Sequence, residues 1–335
     1  MYKYAMLGFG GLGKKHFANL IDIGKNRGDI ELVAICGTTL EDVKKNVATN
    51  LGVSDVSSYD YSNCHFYQDY KELLDNEELD FVLSVLPTFL HEDAAVYALS
   101  KGIHVFSEKP MALSVESCDK MLSAAKVNNK KLMIGQICRF NPGYIKIKEY
   151  IDKKKYGKLL HASFERYSQT PMWTYNNWIL DTEKSGGCLL DLHVHDVDLI
   201  NYFFGMPNSL VSVIRNSKIE RDGISTQYFY DDFMIDAHSD WSYPQTFPFR
   251  SSVRLNFEKG LVILEGGFLK VYTDEENYEI DCQGERFYEE IDTFLKVILD
   301  GEDHPVTSAE SVRDSIRLVE MEIESSDKKA RILCK

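Results

Sequence analysis

Tyr4-Ala5-Met6-Leu7-Gly8-Phe9-Gly10-Gly11-Leu12-Gly13 decides how the chain begins to fold. The apolar run reads as a short strand, and the glycines at 8, 10 and 13 keep the G-x-G-x-x-G spacing. Missing side chains there permit a tight turn, close approach of backbone to a pyrophosphate, and packing of the next helix on the strand. From Lys14 to Asp22, His16, Phe17, Leu20 and Ile21 recur at helical spacing. That helix would aim its N-terminus at the anion. Glycine triplets also occur in ordinary turns, but a strand before and a helix after favour a dinucleotide site. Its first loop would be Gly8, Phe9, Gly10, Gly11, Leu12 and Gly13.

Outward from this turn, strand and helix signals alternate. Glu31 to Cys36 is continuous enough for a buried parallel strand, and Glu41 to Leu51 reads as a helix. Further strands are expected at Phe81 to Leu86 and Ile103 to Phe106, separated by the helical period of Ala94, Ala95, Ala98 and Leu99. The pattern predicts a doubly wound α/β domain. A helix from about Ser114 to Asn128 follows, and the division is placed there, giving 1–123 for nucleotide and 124–335 for substrate and oligomer contacts. The second half turns to strand-like segments at Leu159 to Tyr167, Ser209 to Ile214, Ser252 to Phe257 and Leu261 to Glu265. A largely antiparallel α+β domain is expected, closed by helices at Glu289 to Leu299 and Ala309 to Ile323.

At 335 residues, two domains are the natural expectation. With 38 basic against 52 acidic residues the formal charge is -14, which repels phosphate backbones and anionic lipid. Nucleic acid is therefore a poor candidate partner. The seven cysteines are scattered and never form Cys-x-x-Cys, so reduced thiols in a cytoplasmic protein are expected. No apolar stretch approaches the ~20 residues of a membrane helix.

Three constellations carry chemistry. The second strand ends in Cys36-Gly37-Thr38-Thr39. An acid there would hold the ribose 2′-hydroxyl of NAD and repel the 2′-phosphate of NADP. Its absence tilts the expectation slightly to NADP, with Thr38, Thr39, Lys44 and Lys45 near the phosphate. Ser107-Glu108-Lys109-Pro110 leaves Lys109 at a strand tip, either as a surface lysine or as a cation for a developing alkoxide. Third is Gly186-Gly187-Cys188-Leu189-Leu190-Asp191-Leu192-His193-Val194-His195-Asp196. Asp191 and His195 are four residues apart and would share a helical face. They could form a general-base pair or merely satisfy each other in a packed helix. A metal held by His193 and His195 is awkward, since residues two apart on a helix point ~200° from each other. No metal is expected.

Taken in order, Gly8-x-Gly10-x-x-Gly13, Leu86-Pro87-Thr88-Phe89-Leu90-His91, Glu108-Lys109-Pro110, Arg139-Phe140-Asn141-Pro142, Gly186-Gly187 through His195-Asp196, and Pro305-Val306-Thr307-Ser308-Ala309-Glu310 resemble the Gfo/Idh/MocA oxidoreductases. The resemblance implies a Rossmann domain followed by an open sheet used for substrate binding and for packing into a homodimer or homotetramer. It implies oxidation of a secondary hydroxyl of a sugar or cyclitol, with Lys109, Asp191 and His195 as catalytic and substrate-contacting residues and a cis bond at Lys109-Pro110. The cofactor site would comprise the glycine loop, Gly37, Thr38, Leu86, Pro87, Thr88, His91, Glu108 and Lys109. Departures lie at Cys188, where glycine is frequent, and at Gly37, where an acid is frequent. Trp173, Tyr175, Asn176, Asn177 and Trp178 could wall a sugar through stacking and hydrogen bonds, with Arg166 and Tyr167 as comparable candidates. Redox-neutral sugar processing with retained nicotinamide, and a non-catalytic dinucleotide sensor, are the competing readings.

Overall fold

The computed structural model describes residues 1–45, 52–172, 174–304, 306 and 308–334. Six strands form the first sheet: β1 (Tyr2–Leu7), β2 (Ile30–Cys36), β3 (His65–Tyr67), β4 (Phe81–Ser84), β5 (His104–Glu108) and β6 (Leu132–Gly135). Their order is β3-β2-β1-β4-β5-β6, and every pairing is parallel. Helices at Gly11–Arg27, Tyr70–Asn76, His91–Ser100 and Val115–Val127 lie between strands in the chain. All four residues of β4, Phe-Val-Leu-Ser, are buried, which is why the sequence shows an unbroken apolar run rather than alternation.

The second sheet contains β7 (Leu159–Gln169), β8 (Ser209–Arg215), β9 (Gly223–Phe229), β10 (Met234–Tyr243), β11 (Arg250–Phe257), β12 (Gly260–Glu265), β13 (Phe268–Tyr272), β14 (Asn277–Asp281) and β15 (Ile332–Leu333). The order is β14-β13-β12-β11-β7-β10-β9-β8-β15, antiparallel except where β7 runs parallel to β10. Along β7 buried and partly exposed residues alternate, so one face packs and the other stays open.

Packing divides the chain into two compact units. The first joins Met1–Ala112 and Glu116–Gly135 with Phe287–Glu310; the second joins Leu113–Val115 and Gln136–Arg286 with Ser311–Lys335. Residues 124–135 thus stay with the first sheet, because β6 pairs with β5, whereas the linear division at 123/124 separates them. The return of Phe287–Glu310 has an aromatic cause: Phe294 lies edge-on to Phe81 and Phe106, with ring centroids 6.0 and 5.7 Å away.

The helix expected over Glu41–Leu51 is a turn at residues 40–44, and residues 46–51 lie outside the described residues. Trp173, Pro305 and Thr307 also lie outside them. The closing helices run at Arg286–Leu295 and Ala309–Lys328. No disulfide joins the cysteines. Among the described residues no helix is long and apolar enough to cross a membrane.

Candidate functional site

In the first unit the three glycines have three different surroundings. A Cβ on Gly8, whose φ is 91°, would stand 2.5 Å from the Val85 carbonyl oxygen, and one on Gly13 would stand 2.6 Å from the Gly8 carbonyl oxygen. Both would collide with backbone. At Gly10, among the described residues, nothing lies within 4 Å of the added atom. The first and third glycines therefore serve the turn and the helix packing, while the second leaves open space. Gly10 also caps the helix Gly11–Arg27 without a side-chain hydrogen bond, and no acid occupies its first turn. Uncapped amides and the positive end of the helix dipole facing open space fit the pyrophosphate of a dinucleotide.

Phe9 is buried, its ring 5.4 Å from that of Phe17, so it contributes backbone to the loop and side chain to the core. Gly37 holds a φ of 84° and faces Gly8: a Cβ there would lie 3.8 Å from the Gly8 Cα. Thr38 accepts a bond from Gln68 Nε2 at its carbonyl, 3.0 Å, and Thr39 Oγ1 donates to Asp42 Oδ2, 2.9 Å. Lys14 was not singled out by the sequence. Its ammonium donates to the carbonyls of Asp42, 3.2 Å, and of Lys45, bracing the segment after β2. Burial holds its pKa below the ordinary value, against the opposing pull of Asp42. Only its place directly after the third glycine could have flagged it.

After β4, Pro87 precedes a single 3₁₀ turn, Thr88–Leu90, and Thr88 is buried. His91 is buried between two carbonyl oxygens, Nδ1 lying 2.7 Å from Pro110 O and Nε2 2.8 Å from Leu86 O. Two donated bonds would favour the imidazolium, but burial outweighs them and holds the pKa below 6.5. The neutral ring donates to one carbonyl, tying the turn after β4 to the end of β5. Glu108 is buried as well. Its Oε1 accepts from His16 Nε2 at 2.6 Å and its Oε2 from the Lys109 amide at 3.0 Å. Burial pushes this carboxyl up, yet the bond and charge of His16 and the proximity of Lys109 prevail and leave it below its ordinary value. The Lys109-Pro110 bond is cis, as the resemblance implies. Glu290 joins His16 and Glu108 in a buried group whose ligand-type atoms lie within 4.8 Å of one another.

In the second unit, every residue from Ser185 to Asn201 is buried except Asp191 and His195. Gly186 and Gly187, at φ 77° and 67°, turn the chain into this segment, and Gly205 ends it by donating its amide to Asn201 O. Leu189–His193 is a π turn that passes into the α-helix Val194–Phe204, a departure from the single helix expected. Cys138 Sγ lies 3.8 Å from His195 Nδ1, and burial pushes the thiol's pKa up, keeping it protonated. Next to His195, Asp196 accepts two bonds from buried Arg166, 3.1 and 2.7 Å, and Asp198 accepts two from Arg139, 2.8 and 2.7 Å. Arg166 is thereby committed to an internal ion pair rather than to a sugar. His193 turns inward, with Nδ1 2.9 Å from Ser239 Oγ and Nε2 3.0 Å from Glu322 Oε1, so neither nitrogen is available to a metal. Trp178 is half-buried in the 3₁₀ segment Tyr175–Leu180, where Asn176 and Asn177 take left-handed φ of 52° and 50°.

A parallel sheet entering a three-glycine turn, followed by a second unit built on a largely antiparallel sheet, defines a dinucleotide-binding α/β protein. The chain belongs to the Gfo/Idh/MocA oxidoreductase family: the profile described as "Oxidoreductase family, NAD-binding Rossmann fold" matches residues 2–136, and that of the "GFO/IDH/MocA C-terminal domain" matches residues 144–282. An uncharacterized oxidoreductase of Streptococcus pneumoniae is 30% identical over 63% of this chain and 52% of its own length. The scyllo-inositol 2-dehydrogenase (NAD(+)) of Bacillus subtilis is 28% identical over 75% of this chain and 69% of its own. The match thus spans about half the length of the first relative. In fold, the aldose-aldose oxidoreductase of Caulobacter crescentus complexed with glycerol superposes with a TM-score of 0.80 at 20% identity, covering 99% of both chains.

Proposed function

We propose that the protein is a nicotinamide-dependent dehydrogenase acting on a secondary hydroxyl, or the corresponding ketone, of a sugar, cyclitol or related polyol. The observation that carries this reading is the exposure pattern of the second unit. In a stretch otherwise wholly buried, only an aspartate and a histidine reach the surface, at the positions that match the family's catalytic pair. A packed pair that served stability alone would have no reason to be the one open to solvent.

When bound, the nicotinamide supplies the hydride acceptor. His195 takes the hydroxyl proton as general base, and Asp191 orients the imidazole and the substrate. The Lys109 ammonium stabilises negative charge developing on the substrate oxygen. Glu108 fixes the backbone from which Lys109 extends. The glycine loop and the helix that begins at Gly11 would hold the pyrophosphate, and the missing acid at Gly37 supports NADP slightly over NAD. Trp178 lines the substrate. The open, alternating face of the nine-stranded sheet supports a homodimer or homotetramer.

A panel of cyclitols and sugars with each nicotinamide, followed by reduced-cofactor absorbance, tests the reading. Stoichiometric reduction of one cofactor is the expected result. A flat panel with tight cofactor binding would favour a sensor, and turnover without net reduction would favour redox-neutral processing.

A further inference from the structure

His193 lies between the two partly exposed residues and points the opposite way. Its imidazole, Ser239, Tyr228 and Glu322 are all fully buried. Glu322, from the helix Ala309–Lys328, uses one oxygen, Oε1, to receive both His193 Nε2 at 3.0 Å and the Tyr228 hydroxyl. Ser239, on β10, meets His193 Nδ1 at 2.9 Å. The other carboxylate oxygen of Glu322 is buried and receives no hydrogen bond among the described residues. Such a group costs stability, and a well-packed apolar cluster of similar volume would be at least as stable. Its retention calls for a gain in geometry.

The geometry in question is the π turn. Leu189–His193 holds one residue more than an α turn would, and His193 is its last member. If the turn relaxed to α geometry, residues before it would rotate by about 100° relative to those after it, one residue's step around the helix. Asp191 lies inside that turn and His195 after it, so relaxation would rotate one relative to the other. We propose that His193 is a positioning residue which, through Glu322, Tyr228 and Ser239, locks the π turn and so fixes how Asp191 and His195 are presented together. The inference rests on the catalytic reading of that pair only for its consequence; the locking itself can be measured without substrate.

The test is nuclear magnetic resonance of ¹⁵N-histidine-labelled full-length protein, following the His195 ring through a pH titration, with His195→Asn supplying the assignment among the nine histidines. Cys138 Sγ faces that ring, at 3.8 Å from Nδ1. His193→Leu, which keeps bulk and loses both bonds, is expected to move the His195 midpoint by at least ~0.5 pH unit or to split its signals. His193→Gln, which keeps an amide within reach of Glu322, is expected to restore most of the wild-type behaviour. Tyr228→Phe removes a single hydroxyl and carries the same test, with a smaller shift, should the leucine variant not fold. A variant whose melting temperature falls while the His195 titration stays as in wild type would overturn the proposal. Turnover of His195→Asn, read separately by cofactor reduction, decides the general-base role of His195. An active H195N would sink that role and leave the locking intact.

Discussion

Glu108 Oε1 and His16 Nε2 meet at 2.6 Å across 92 residues of sequence, joining the tip of β5 to the helix that follows the glycine turn. The same carboxylate holds the Lys109 amide. Because the folded protein keeps Glu108 below 4.5 and His91 below 6.5, the unfolded chain binds more protons than the native one as each group titrates. Their stabilisation is complete above the ordinary values and is lost as pH falls through the depressed ones. Calorimetric melts should therefore decline first below about pH 6.5, from His91, and again below about pH 4.5, from Glu108. Glu108→Gln should flatten the second decline; a slope unchanged from wild type would contradict this.

Gly13→Ala and Gly10→Ala should separate folding from binding. The first places a methyl 2.6 Å from the Gly8 carbonyl oxygen and should destabilise the fold by ~1–3 kcal/mol, visible in denaturant melts. The second meets no described atom within 4 Å and should leave the melt unchanged. It should instead weaken cofactor binding by about tenfold or more, ~1.4 kcal/mol, because the methyl enters the space reserved for pyrophosphate. Nicotinamide fluorescence titration measures this, and an affinity equal to wild type would remove the loop from the binding site.

Lys109→Met and His195→Asn should each lower turnover by ~10²-fold or more, with cofactor affinity held within a few-fold. Steady-state kinetics on the substrate found in the polyol panel provides the comparison. Turnover within a few-fold of wild type in either variant would defeat its assigned role.

Arg139→Met should cost ~3–5 kcal/mol, since it leaves Asp198 as a buried charge stripped of its bidentate partner. Combining Arg139→Met with Asp198→Leu should recover most of that loss. Chemical denaturation of both single variants and of the double variant would show whether the ion pair is needed for stability or only for its own neutralisation.

The first sheet was legible where burial on both faces left unbroken apolar runs, as at Phe81–Ser84, but not at β6, whose equally buried Leu132–Gly135 is only four residues long and lies past the expected division at 123/124. β3 escaped notice because it is three residues long, and β10 because Asp236, His238 and Asp240 interrupt its apolar positions. Those two aspartates are satisfied across strands, Asp236 by His161 at 2.8 Å and Asp240 by Arg215, which no local pattern announces. Spacing alone singles out Asp191 and His195, and these are the two partly exposed residues of the buried stretch from Ser185 to Asn201. That the turn there is π rather than α is not legible, because residue spacing along this stretch is the same for both. Lys14 was hidden for a similar reason: its partners are backbone carbonyls, which leave no trace in side-chain chemistry.

The discontinuity of the first unit bears on how the protein is made. A ribosome that has released residues 1–135 has delivered all six parallel strands, yet Phe294 and Glu290, which fill the aromatic and carboxylate clusters behind β4 and β5, are still unsynthesised. The nascent sheet must wait, with Phe81 and Phe106 lacking Phe294, until the chain has emerged past that residue. Cutting the gene after the sixth strand would yield a fragment prone to clump rather than a usable nucleotide-binding module.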